Sequence, residues 1–74
     1  MDRRRLGRRV KGFRKLKGYT QHEFAEELNV SIAVLGALER GTRKPTKELV
    51  ERIAQILAIT TEELTLEGVQ DSNN

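Results

Sequence analysis

The sequence predicts an all-α protein of five short helices packed as one small domain. Three observations carry this expectation. Apolar residues recur at helical spacing in successive segments. Each segment opens on Asp, Thr or Ser, the residues that cap helix N-termini. Gly18, Asn29, Gly41 and Pro45 fall between the segments, where a helix must stop or turn.

Helix 1 is expected from about Asp2 to Lys17. Leu6, Val10 and Phe13 fall at i, i+4 and i+7 and form a buried stripe. Asp2 suits the positive end of the helix dipole, and Lys15 and Lys17 suit the other end. Gly7 and Gly12 each cost roughly 1 kcal/mol relative to Ala inside a helix, which close packing against another element would explain. Gly18 ends the helix and Tyr19 leads into the next cap. Tyr19 is expected in the core with its hydroxyl at the surface.

The stretch from Thr20 to Gly41, TQHEFAEELNVSIAVLGALERG, reads as two helices joined by a tight turn. Thr20 caps the first, with Glu23 completing a capping box. Phe24, Ala25 and Leu28 form its inner face, and His22 points outward. Asn29 tolerates the left-handed conformation that ends a helix. Ser31 caps the second helix, Ile32 to Arg40, and Gly41 ends it. At 100° per residue Val34, Leu35 and Leu38 face the core. Ala33, Gly36 and Ala37 then lie on the opposite face, with Ile32 at the flank.

Pro45 and Thr46 open helix 4, whose Leu49, Val50, Ile53, Ala54, Ile56 and Leu57 form a broad apolar face. Thr60 caps a last short helix, with Glu63 in a second capping box and Leu64 pointing inward. The domain is expected over residues 1–66, followed by a polar, disordered tail over 67–74.

Composition excludes several functions. The chain has 74 residues, enough for one domain, with no Cys and one His, so disulfides and thiolate metal sites are out. No metal or cofactor is implied. No apolar run approaches the roughly 18 residues of a membrane span, and no secretion signal follows the basic N-terminus. No nucleophile–base pair or phosphate-binding glycine motif is present, so an enzyme is not expected. The net charge of +3 hides an asymmetry: residues 1–19 hold nine Lys or Arg against Asp2 alone. That polarity favours an anionic partner, although a solvated basic helix without a partner would look the same.

Gln21, Ala25, the bend at Asn29, then Val30, Leu35, Leu38, Glu39 and Gly41 resemble the helix-turn-helix of phage-repressor-type (Cro-like, Xre-type) DNA-binding domains. The resemblance extends to Leu6, Val10, Phe13, Arg14 and Gly18 before the motif. After it come Pro45, Leu49, Ile53, Ala54, Leu57 and Leu64, so it covers roughly residues 4–66. It implies a five-helix, lambda-repressor-like fold, a cytoplasmic, nucleoid-associated protein of bacterial or phage origin, and double-stranded DNA as partner. It implies an ion pair between Arg14 and Glu39, and a Gln21 that bonds a phosphate and braces the recognition helix. Ser31, Ile32, Ala33, Gly36 and Ala37 would face the major groove. Arg40, Thr42, Arg43, Lys44 and Lys47 would lie along the DNA backbone. Ile59, Leu66 and Val69 are candidate homodimer contacts, or close the core.

One departure stands out. Ile32, Ala33, Gly36 and Ala37 offer no side-chain hydrogen bond, whereas the family commonly places polar residues there. Base choice would rest on thymine methyl contacts, on Gln21 and Arg40, and on DNA shape. Three readings stay open from sequence: a small DNA-binding transcriptional regulator, a protein-interaction module (antirepressor, antitoxin-like or coactivator) using the apolar face of helix 32–40, or an Arg-rich helix 1 that meets RNA or an acidic protein surface.

Overall fold

The computed structural model describes residues 2–65. Five α-helices follow in order: α1 (Arg3–Leu16), α2 (Gln21–Leu28), α3 (Ile32–Arg40), α4 (Lys47–Leu57) and α5 (Thr61–Thr65), with no strand among the described residues. Leu66, Val69 and the tail lie outside them.

Local chemistry sets each boundary. The Asp2 side chain accepts a hydrogen bond from the Arg4 amide at 2.9 Å and starts α1. Thr20 and Glu23 form both bonds of a capping box at the start of α2. Asn29 adopts φ 60°, ψ 43° and ends α2. Ser31 Oγ accepts from the Val34 amide, and Thr46 Oγ1 accepts from the Leu49 amide. Thr60 and Glu63 repeat the box at α5, although these bonds join a helix of only five residues. Ala58 ends α4 at φ 60°, a left-handed conformation that alanine gives no sign of in the sequence.

The core is built from Leu6, Val10, Phe24, Ala25, Leu28, Leu35, Val50, Ile53, Ala54, Leu57 and Leu64. Phe13, Tyr19 and Ile59 are half-buried against it. Tyr19 tilts onto Phe24 with ring centroids 5.3 Å apart. Val34 is half-buried rather than in the core: it lies at the edge of the inner arc, and Leu35 and Leu38 take the centre.

Gly7 has a steric reason. A β-carbon there would lie 2.4 Å from the Leu38 carbonyl oxygen and 2.5 Å from that of Glu39. The backbones of α1 and α3 therefore meet directly at this point. Gly41 works similarly at φ 79°, where a β-carbon would come within 2.7 Å of Arg4 Cα. Nothing in the structure explains Gly12.

Two arginines staple helices through backbone carbonyls. Arg9 donates from Nε to the Leu64 oxygen at 3.0 Å and from Nη2 to the Glu63 oxygen. Arg52 donates to the Leu28 oxygen at 2.9 Å. Both place a cation at a helix C-terminus, where the dipole favours it.

Candidate nucleic-acid interface

Glu39 is the hub of the site. Its Oε2 accepts from Arg14 Nε at 2.6 Å, and its Oε1 accepts from Arg14 Nη2 at 3.2 Å and from Gln21 Nε2 at 3.1 Å. Arg14 Nη1 donates to the Tyr19 oxygen at 2.9 Å. One carboxylate thus ties α1, α2 and α3 together. Arg14 and Glu39 are only 6% and 7% exposed, so the pair is desolvated and held by bidentate geometry. The arrangement follows from spacing: Leu35 and Leu38 anchor the inner side of α3, and Glu39 comes next, at the boundary facing α1 and α2.

With its inner side fixed, α3 turns Ile32 and Ala33 outward. Ile32 is 42% exposed, and Ala33 is exposed as well. Ala37 is half-buried, and its carbonyl accepts from Thr42 Oγ1 at 3.3 Å. Gly36 corrects the expectation of an open face. It is buried, because the Arg40 guanidinium and the Gln21 amide cover it: a β-carbon at residue 36 would lie 3.1 Å from Arg40 Nη1 and 3.9 Å from Gln21 Nε2. The apolar strip therefore does not run unbroken along the helix.

The donors around this face differ in how far they are committed. Gln21 gives one amide hydrogen to Glu39, and its second remains for another acceptor. The capping box engages the Thr20 and Glu23 amides, while the Gln21 and His22 amides begin α2 without a partner within the helix. The Ser31 hydroxyl accepts from Val34 and keeps its own proton free to donate. The side chains of Arg40, Arg43, Lys44 and Lys47 are exposed and make no hydrogen bond or ion pair with other described residues. Sequence reasoning missed two features. It had Gln21 brace the recognition helix but did not give Glu39, already paired with Arg14, as the partner. It also missed that Arg40 folds over Gly36, for which the i, i+4 spacing of a glycine and an arginine was the available signal.

A family model described as helix-turn-helix matches residues 10–64, spanning α2, the turn and α3 with the helices that pack on them. The chain belongs to the phage-repressor-type helix-turn-helix family. Among its relatives is YazB of Bacillus subtilis, named as an uncharacterized HTH-type transcriptional regulator. It is 48% identical over 58 residues, covering 78% of this chain and 84% of YazB. The B. subtilis regulator SinR is 32% identical over 60 residues, and this chain spans about half of it, 54%. A solved structure of SinR, described as the master regulator for biofilm formation in complex with DNA, superposes with a TM-score of 0.74 at 32% identity. That match covers 80% of this chain and 95% of the other. The clp gene regulator ClgR of Corynebacterium glutamicum matches with a TM-score of 0.88 at 30% identity, over 99% of this chain and 78% of the other. The family is one of regulators, not enzymes. Among the described residues no helix is long and apolar enough to cross a membrane.

Proposed function

We propose that the protein is a transcriptional regulator that binds double-stranded DNA through α3. The observation that carries this reading is the locked recognition helix. Glu39 fixes α3 to α1 and α2 from within, while its outer side stays exposed beside cations that pair with no other described residue. A rigid helix with free donors at its margins suits a regular polyanion, because phosphate contacts set register and base contacts choose sequence. Ser31, Ile32, Ala33 and Ala37 would meet the groove. Gln21, with the Gln21 and His22 amides, would take one phosphate. Arg43, Lys44, Lys47 and Thr42 would follow the backbone.

On this reading the protein works in the cytoplasm on the chromosome, as a dimer on an inverted repeat. Its two α3 helices would enter successive major grooves about 34 Å apart. Ile59, with Leu66 and Val69, is the proposed dimer contact. The alternative of a protein-docking module needs a continuous apolar patch on α3. Gly36 lies under two polar side chains, which breaks such a patch and removes the support for that alternative.

The test is selection from random duplex DNA at physiological salt, followed by salt titration of the selected site. An enriched palindrome is expected, with affinity that falls steeply as salt rises, by about 0.9 in log–log slope per neutralised phosphate. Affinity that is flat with salt, or no binding, would sink the reading.

A further inference from the structure

A glycine inside a helix is a poor helix former and calls for a reason. Gly36 has one on its outer side. Helical side chains lean toward the N-terminus, so a residue covers the surface one turn before its own Cα. Arg40 does this: its Nη1 lies 3.1 Å from where a β-carbon of residue 36 would be. The guanidinium thus occupies the place of the missing side chain, midway along the exposed face of α3. Gln21 Nε2 stands 3.9 Å from the same point and is fastened to Glu39.

The chemistry of that face now has one donor fork in it. Ile32, Ala33 and Ala37 carry no hydrogen-bonding group. Arg40 carries a planar guanidinium that makes no ion pair with another described residue. Such a fork matches the O6 and N7 acceptors of guanine in the major groove. Seated over Gly36 it lies between Ala33 and Ala37 along the helix, rather than out beyond its C-terminus.

We infer that Gly36 is a seat for Arg40, and that Arg40, so seated, is a specificity-determining residue that reads a guanine in the major groove. This rests on the DNA-binding reading above. A phosphate contact from Arg40 would give a different signature. Lysine can replace arginine as a point charge on a phosphate, but its flexible ammonium lacks the rigid planar fork that meets both acceptors of one guanine at once.

The experiment is random-duplex selection at physiological salt with the full chain as wild type, Arg40→Lys and Gly36→Ala, each checked for folding by thermal denaturation. Wild type is expected to enrich one guanine per half-site that depends on residue 40. Arg40→Lys is expected to lower the preference at that position roughly tenfold, with the other positions and nonspecific affinity kept. Gly36→Ala forces the guanidinium to lift by a few tenths of an ångström and is expected to erode the same preference about threefold. The inference is overturned if wild type enriches a site without such a guanine. It is also overturned if either variant keeps the full preference, or if Arg40→Lys weakens all sequences equally; in each of these cases DNA binding itself stands. If wild type binds no duplex at any salt, the DNA-binding reading falls and the inference falls with it.

Discussion

Two basic regions of this small molecule carry charge of the same sign and do different work. In α1, Arg14 is sealed against Glu39 and Arg9 is spent on the last carbonyls of α5. After Gly41, by contrast, Arg43, Lys44 and Lys47 reach solvent with no partner among the described residues. The first set builds the domain and the second is free to meet an anion. Counting cations along the chain makes α1 the conspicuous region, yet some of its charge is consumed by folding. A basic segment becomes evidence of an anionic ligand only after its internal partners are subtracted.

Substitutions in the two regions should therefore part company, and the largest effect belongs to Arg14. Arg14→Ala leaves a buried carboxylate without its cation, which costs about 3–5 kcal/mol. For a domain of this size the melting temperature should fall by at least ~12 °C, read by circular dichroism. A change under a few degrees would place Arg14 with the free cations. Next in size is Gly7→Ala, also in α1. Helix propensity alone favours it by roughly 1 kcal/mol, but the methyl would collide with two carbonyl oxygens of α3. A net loss of about 1–3 kcal/mol is expected, and urea melts would show it as a lower midpoint. A stabilised variant would mean that α1 and α3 can separate freely.

Arg9→Ala removes two charge-assisted bonds to α5 at a partly exposed site, and about 1 kcal/mol should be lost. Hydrogen exchange should rise first in α5. Unchanged protection there would show that core Leu64 alone holds the helix. The smallest stability effect is expected for Arg43→Ala with Lys44→Ala, within about 0.5 kcal/mol of wild type.

How much of this was legible in the sequence depends on the range of the physics. The caps at Thr20, Ser31 and Thr60 and the turn at Asn29 were readable because donor, acceptor and strained residue lie within a few positions. Ala58 was not, since alanine in a left-handed conformation is imposed by the α4–α5 connection. Gly7 could be recognised as costly, but its cause lies in α3, more than thirty positions away. The outward face of α3 was half readable. Periodicity gives the direction of Ala33 and Gly36, and it is silent about a long side chain from the next turn lying across one of them. The Arg14–Glu39 pair followed only from family resemblance, because no local pattern links residues 25 positions apart.

On the DNA-binding reading the cations after Gly41 serve the ligand and not the fold. The most direct test is the salt dependence of duplex DNA binding by wild type and by the Arg43→Ala, Lys44→Ala double variant, with thermal melts run alongside. Coincident melts are expected, with a log–log salt slope shallower by about 1.8 in the variant, from two lost phosphate contacts. Equal slopes, or a variant that melts well below wild type, would contradict it.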